Sequence, residues 1–166
     1  MSLERLWAGW RAEFVAGPSD PDACVFCSIL GSGLPDDETH VLWRHPGGRV
    51  VAILNAYPYT SGHLMVLPVR HVADLEDLDA DESGDLWRGL AMAVRAIKGA
   101  FGPDGLNLGV NLGRVAGAGV PGHFHVHALP RWSGDTNFMT AVAETRVLPE
   151  ALGSTAAKLR RAWPRA

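Results

Sequence analysis

The sequence predicts an α+β fold with a five-stranded, mostly antiparallel sheet, one long helix and short terminal helices. Two patterns indicate this architecture. Short apolar runs bounded by turn residues occur at five places, which is typical of strands. Between the third and fourth run, residues 81–101 carry apolar side chains at helical spacing, and Gly102-Pro103 ends the helix.

The expected elements follow one another along the chain as a short helix, three strands, the long helix, two strands and a last helix. The first two strands form a hairpin around Pro46-Gly47-Gly48. We expect strands at 41–45, 49–55, 63–69, 106–112 and 124–130, the long helix at 81–101, and terminal helices at 2–11 and 149–163.

The length and charge of the chain limit its class. At 166 residues it fits one domain, which we divide into a helical extension at 1–22, a core at 23–132 and a C-terminal segment at 133–166. Fifteen basic and 18 acidic residues give a net charge of -3 without a long basic block, so we expect neither a nucleic acid nor a membrane as partner. The N-terminus lacks a signal-peptide core, and no apolar run approaches the roughly 20 residues that span a bilayer, so we expect a cytoplasmic protein.

Three of the seven histidines, His123, His125 and His127, lie at alternate positions. In a strand their side chains share one face at steps of about 6.6 Å, while the apolar residues at 124, 126 and 128 face a core. Crowded imidazoles disfavour each other's protonated forms, which leaves neutral rings able to attack phosphorus or bind a metal. The pattern favours an active-site wall over a half-exposed strand that carries histidines by chance.

A glycine-rich loop at Gly113–Gly122 immediately precedes these histidines. Because glycine has no Cβ, backbone N–H groups in such a loop can turn toward a phosphate. A hairpin connection can have the same composition, but the position next to the histidines favours a phosphate cradle. His40 and His45 have no motif around them and are interpreted as surface histidines.

Cys24 and Cys27 have the spacing with which two thiolates bind one tetrahedral zinc, with two further ligands from elsewhere in the chain. They lie too close in sequence to close a large loop as a structural disulfide. A redox pair and two inert buried cysteines are the alternatives. The redox alternative is disfavoured because we expect no thioredoxin-like helix after the motif.

The histidine strand, Gly122–Arg131, resembles the signature of the histidine-triad (HIT) superfamily of nucleotide hydrolases and transferases. Three further stretches, Leu6–Arg11, Asn55–Pro68 and Pro130–Phe138, resemble the branch that contains the actinobacterial diadenosine tetraphosphate phosphorylases. The resemblance covers nearly the whole chain. It implies an enzyme that cleaves dinucleoside polyphosphates at the α-phosphorus through a nucleotidyl-histidine, with phosphate or water as acceptor. The alternatives are a purine nucleoside phosphoramidase, a dinucleoside polyphosphate hydrolase, or a nucleotide-binding regulatory module with vestigial catalysis.

The resemblance also implies roles for individual histidines. His125 corresponds to the nucleophile, His127 contacts the phosphate or the leaving oxygen, and His63 sets the environment of the nucleophile from a neighbouring strand; its alternative role is that of a satisfied core histidine. His71 and His123 correspond to the ligands that complete a structural zinc site with the two cysteines. No magnesium is obligatory, because histidines and loop amides supply the stabilisation that a cation otherwise gives.

The remaining implied contacts are to the nucleotide. Asn55 corresponds to a ribose contact and Asn111 to a phosphate contact, although either could satisfy a strand end or turn. Trp132 could stack on a base or on a partner subunit. Gly119 and Val120 stand where the family commonly has a loop Ser or Thr, so a side-chain donor to the phosphate is missing here. The family's usual pairing through the long helix and a sheet edge implies a homodimer.

Overall fold

The computed structural model describes residues 24–135 and 150–165. Short helices precede the sheet, and the longest helix connects its third and fourth strands. The strands are β1 Val41–Arg44, β2 Val50–Leu54, β3 Leu64–Pro68, β4 Gly105–Gly109 and β5 Val126–Arg131; the helices are α1 Val25–Gly31, α2 Asp36–Thr39, α3 Ala80–Phe101 and α4 Leu152–Ala162, with a 3₁₀ turn at Leu75–Asp77.

The five strands form one sheet in the order β1-β2-β3-β5-β4, and each neighbouring pair is antiparallel. The predicted α+β class and five-stranded antiparallel sheet are therefore confirmed. β5, which carries His127, lies between β3 and β4 in the interior of the sheet, and β4 is at an edge. Met65 pairs with His127 in this register, which places His63 and His127 on the same face as diagonal neighbours.

The long helix covers one face of the sheet together with α4. It begins with a capping box between Asp79 and Glu82 and ends at Gly102, whose φ of 53° is left-handed. Its buried stripe includes Leu86, Leu90 and Ile97, which pack against alternate residues of the strands in the main core. This packing covers one face of the sheet, and the candidate site lies on the opposite face.

The opposite face is covered in part by α1. Phe26 is 4% exposed and packs with Val51, Ile53 and Met65 in a second, smaller core. A seven-residue helix is marginal by itself, so this apolar packing accounts for its presence. The candidate site lies on this face.

Several boundaries differ from the predicted ones. The fourth strand ends at Gly109, where its pairing with β5 ends, and not at 112 as predicted. The fifth strand begins at Val126 and not at 124. The helices α1 and α2 were not predicted. α4 falls inside the predicted helix at 149–163, whereas the predicted helix at 2–11 lies outside the described residues.

The division into extension, core and C-terminal segment stays a prediction. No helix in the two described ranges is long and apolar enough to cross a membrane.

Candidate active site and metal cluster

The three alternate histidines share one face, as predicted. Phe124, Val126 and Ala128 belong to the main core under α3. The intervening rings of His123 and His125 are 1% and 4% exposed on the other face. The period-two pattern therefore places the histidines side by side and their apolar neighbours in the core.

The ring of His125 is held in one orientation and tautomer. Its Nδ1 donates a hydrogen bond to the backbone oxygen of His123 at 2.7 Å, which leaves Nε2 as an unprotonated nitrogen. Burial lowers the pKa of His125 below its usual value, despite the opposing effect of that hydrogen bond. The edge-on ring of Phe26, 5.2 Å away between centroids, packs against it. His125 is therefore a neutral, oriented base or nucleophile.

A chain of hydrogen bonds sets the opposite tautomer in His127. The backbone N–H of Tyr59 donates to Nδ1 of His63 at 3.1 Å, so the proton of His63 lies on Nε2. That Nε2 donates to Nδ1 of His127 at 2.9 Å. Consequently His127 carries its own proton on Nε2.

Burial, and next repulsion from His125 when that ring is protonated, lower the pKa of His127 to about 4. The rings of His125 and His127 lie 4.9 Å apart between centroids. Two neutral histidines are thus adjacent on one face, one with a lone pair on Nε2 and the other with an N–H at the same position. Such a pair can attack an electrophilic centre and donate a hydrogen bond to its leaving group.

Asn55 is 9% exposed and lies beside His63. Its side-chain nitrogen is 3.3 Å from both ring nitrogens of His63, and its oxygen accepts a hydrogen bond from the backbone N–H of Tyr57 at 2.9 Å. Asn55 therefore stabilises the turn after β2 through its side-chain oxygen and contacts the buried His63 through its side-chain nitrogen. Its ribose contact stays a prediction.

The glycine-rich loop folds back on itself before the histidine strand. Gly113 and Gly117 have positive φ angles of 78° and 93°, and Asn111 donates from its side chain to the Gly117 oxygen at 3.5 Å. Asn111 thus touches the loop itself. Val120 packs against the smaller core, whereas a Cβ on Gly119 would meet nothing within 4 Å. The phosphate contacts implied for these residues stay predictions.

Trp132 lies directly after β5 and is half-buried. Its backbone N–H donates to Asp135 at 3.2 Å. Its predicted stacking on a base or a partner is untested.

Cys24, Cys27, His71 and His123 converge, with their four ligand atoms within 4.8 Å of one another. Cys24 Sγ lies 3.2 Å from Nδ1 of His123, and Cys27 Sγ lies 3.3 Å from Nδ1 of His71 and 3.6 Å from that of His123. Sulfur and nitrogen ligands of a tetrahedral zinc are about 3.6 Å apart. The cluster therefore fits a zinc ion.

A hydrogen bond prepares His123 for this role. Its Nε2 donates to the backbone oxygen of Pro68 at 2.9 Å, so the Nδ1 that faces the cysteines is unprotonated. A helix does follow the cysteines, contrary to our expectation, but it has only seven residues. Two histidines converging on the thiols favour metal binding over a redox pair or inert cysteines.

A cavity of about 640 Å³ lies between α1, the end of β2 and the start of α4. Its wall is mostly apolar and includes Leu54 and Ala56, which flank Asn55 in the sequence. The lining residues are Val25, Ser28, Ile29, Ser32, Leu34, Glu38, Thr39, His40, Ile53, Leu54, Ala56, Tyr57, Ala151, Leu152 and Gly153.

Sequence reasoning missed four contributors to this face. The interpretation of His40 as a surface histidine was wrong, because the residue is half-buried, its Nδ1 is buried and the residue is part of the cavity wall. His45 instead lies 3.3 Å from Asp85 on the helix side. Phe26, Tyr59 and the cavity wall of α1 were also missed. Apolar spacing at Val25 and Ile29 was a signal for α1, but nothing in the sequence marks the backbone amide of Tyr59.

Comparison with known proteins gives a consistent result. The family model described as "HIT domain" matches residues 38–134. A protein of Mycobacterium tuberculosis named AP-4-A phosphorylase is 40% identical over 169 residues, which covers 98% of this chain and 86% of that protein.

Solved structures show the same fold. A hypothetical histidine triad nucleotide-binding protein from Sulfolobus tokodaii matches with a TM-score of 0.67 and 30% identity, covering 84% of this chain and 91% of that one. A zinc-bound histidine triad family protein from Mycobacterium smegmatis matches with a TM-score of 0.66 and 29% identity, covering 84% and 92%.

Proposed function

The chain belongs to the HIT domain family, and we propose that it is a nucleotidyl transferase or hydrolase that cleaves dinucleoside polyphosphates at the α-phosphorus, in the manner of a diadenosine tetraphosphate phosphorylase. One observation carries this proposal. The hydrogen bonds of His125 and His127 give the two adjacent rings opposite tautomers, a lone pair beside an N–H. A two-step nucleotidyl transfer needs such a pair.

In the first step, Nε2 of His125 attacks the α-phosphorus and forms a phosphorus–nitrogen bond. The bond from phosphorus to the bridging oxygen breaks, and that oxygen keeps the electron pair, its negative charge stabilised by a hydrogen bond from Nε2–H of His127. The leaving group then departs, and the nucleotide remains on His125.

In the second step His127 keeps its position beside the phosphorus. The oxygen of the incoming phosphate or water attacks the same phosphorus, Nε2–H of His127 again donates a hydrogen bond to the developing negative charge, and a water nucleophile releases its proton to solvent. The bond to His125 breaks and the starting tautomers return. His63 holds His127 in position throughout, because its hydrogen bond engages the opposite ring nitrogen.

The transferred nucleotide also needs a pocket for its nucleoside. We place its nucleoside in the 640 Å³ cavity, since Leu54 and Ala56 line that cavity and the residue between them contacts His63. A ribose between base and phosphate would then lie near Asn55. Backbone amides of Gly113–Gly122 would face the phosphates and replace an obligatory magnesium.

The four-residue cluster would hold a structural zinc, because four protein ligands close a tetrahedral coordination sphere. When bound, the ion supplies a cross-link between α1 and the start of the histidine strand. His123 then acts on the reaction through its backbone oxygen, which orients the ring of His125.

The test of this function is incubation with diadenosine tetraphosphate, with and without inorganic phosphate, followed by separation of the products. ADP plus ATP indicates phosphorolysis, and AMP plus ATP indicates hydrolysis. An adenosine phosphoramidate substrate run in parallel tests the phosphoramidase alternative. Binding of AMP with no turnover of any of these substrates would leave the regulatory module as the better description.

We also propose a homodimer formed through the edge strand and the long helix. Leu108 on edge strand β4 is 48% exposed and Trp87 on α3 is 64% exposed, and a second chain would cover both the strand edge and these side chains. Sedimentation at micromolar concentration tests it, and the mass of one chain would contradict it. The cytoplasmic location and the absence of nucleic acid or membrane partners stay predictions.

A further inference from the structure

Phe26 lies between the two cysteines of the metal cluster and is 4% exposed. Its ring meets the rings of His123 and His125 edge-on, at 5.4 and 5.2 Å between centroids. The other residues packed with it in the second core are apolar and include Val51 and Met65. A rigid, buried ring therefore fills the space between the cluster, the sheet and the candidate nucleophile.

His125 needs more than its hydrogen bond to keep one orientation. Its Nδ1 donates to the backbone oxygen of His123 at 2.7 Å, but this bond holds only one edge of the ring. The torsion between Cβ and an imidazole ring is broad and roughly two-fold, so the bond alone permits the ring to tilt or turn. Two further rings oppose such a movement, that of Phe26 at 5.2 Å and that of His127 at 4.9 Å between centroids. The ring of His125 is thus held between them.

The direction of Nε2 decides whether His125 can attack a phosphorus atom. An in-line displacement needs the lone pair aligned at a distance of about 3–3.5 Å, and a misplacement of about 1 Å can cost a hundredfold in rate. Phe26 has neither a lone pair nor an acidic proton to contribute. Its effect on the reaction therefore passes through the position of the His125 ring.

We propose that Phe26 is a positioning residue that keeps Nε2 of His125 aimed at the α-phosphorus, an inference that rests on the proposed nucleotide-cleaving function. The alternative is that Phe26 only stabilises the second core, as Val51 does. Packing alone predicts a loss of stability when the ring is replaced. Positioning also predicts a change in the tautomer of His125 and a loss of kcat.

The experiment compares four full-length proteins purified with zinc: wild type, Phe26→Leu, Phe26→Tyr and Val51→Ala. Leu keeps an apolar side chain without the aromatic ring, whereas Tyr keeps the ring. Val51→Ala removes methyl groups from the same core and leaves the ring of Phe26 in place, so it is the matched control. Thermal unfolding and elemental analysis check that each protein is folded and contains zinc.

The tautomer of His125 is measured without substrate, from the nitrogen chemical shifts of its ring. Turnover of diadenosine tetraphosphate gives kcat, and calorimetry gives the affinity for AMP. These readouts separate the orientation of the ring from the chemical step and from nucleotide binding.

In the wild type, the proton of His125 should lie on Nδ1. In Phe26→Leu, a second population with the proton on Nε2 should appear, and kcat should fall about tenfold or more while AMP binds within about threefold. Phe26→Tyr should keep the wild-type tautomer and at least about half of kcat. Val51→Ala should lower the melting temperature but keep the tautomer, and its kcat should stay within about twofold.

Three outcomes overturn the inference. An unchanged tautomer and kcat in Phe26→Leu shows that the ring does not position His125. Equal changes in Val51→Ala show that loosening of the core causes the effect. A loss of AMP affinity as large as the loss of kcat shows that Phe26 acts on nucleotide binding.

Failure of the proposed function gives a different result. A wild type that turns over no dinucleoside polyphosphate contradicts that function. The tautomer comparison needs no substrate and still decides whether Phe26 orients His125.

Discussion

The backbone oxygen of His123 accepts a hydrogen bond from Nδ1 of His125 at 2.7 Å, while the His123 ring faces Cys24 at 3.2 Å. One residue therefore belongs to the candidate metal cluster through its side chain and to the histidine pair through its main chain. Phe26, between the two cysteines, adds a second link because its ring packs against both His123 and His125. The metal cluster and the reactive ring are consequently parts of one packed unit.

His125→Ala should lower turnover of diadenosine tetraphosphate about a thousandfold or more, because it removes the atom that would bond to phosphorus. AMP binding should stay within about tenfold, since the cavity and loop contacts remain. Steady-state kinetics and calorimetry measure the two effects. His45→Ala is the control and should keep activity within about twofold, as His45 lies on the helix side near Asp85. Substantial residual turnover in His125→Ala would exclude the two-step mechanism.

Cys24→Ser should reduce bound zinc from one ion per chain to nearly none, because a hydroxyl is a poor substitute for a thiolate ligand. The melting temperature should fall by more than about 5 °C, since each kcal/mol corresponds to about 2–4 °C for a domain of this size. Elemental analysis and calorimetry measure these changes. Ser28→Ala, on the same helix but outside the cluster, should change neither. Wild-type protein purified without chelators that contains no metal would contradict the zinc site.

Acid should destabilise the fold through His127. Its pKa is about 4 in the folded protein, against 6.5 for an ordinary histidine. Between these two values the unfolded chain binds a proton that the folded chain does not, so the contribution to stability is lost as the pH falls from 6.5 to 4. Urea unfolding of wild type and His127→Gln across this range isolates the effect. The wild type should lose stability relative to the variant, and parallel pH profiles would show that His127 titrates normally.

Gly62→Ala should both destabilise the protein and impair catalysis. Gly62 has a φ of 89°, and a Cβ there would lie 2.9 Å from the ring of Phe101 and 3.2 Å from Pro130. We expect a loss of about 1–3 kcal/mol in unfolding free energy and a lower kcat/KM, because His63 follows directly and would be displaced. For the melting temperature, Gly119→Ala is the matched control, since its Cβ would meet nothing within 4 Å. Equal melting temperatures for both variants would contradict this reasoning.

Much of the fold could be predicted because its signals are local. The alternation of histidines with apolar residues predicted that the residues at 124, 126 and 128 lie in the core. Helical spacing of apolar residues, with Gly102-Pro103 as the stop, predicted the bounds of the long helix to within one residue. The short helices α1 and α2 were missed, since seven and four residues carry little periodicity. Packing of Phe26 on the sheet, rather than helix propensity, stabilises α1.

By itself the sequence determined which side chains share a strand face and which residue types could bind phosphate or metal, because these follow from the backbone period and from chemistry. Tertiary structure alone decided which ring nitrogen carries the proton in His123 and His127. That depends on partners far apart in the chain: Pro68 for His123, and His63, 64 residues away, for His127. It likewise placed His40 in a cavity wall, because that wall is assembled from α1, the end of β2 and the start of α4, which meet only when the sheet has formed.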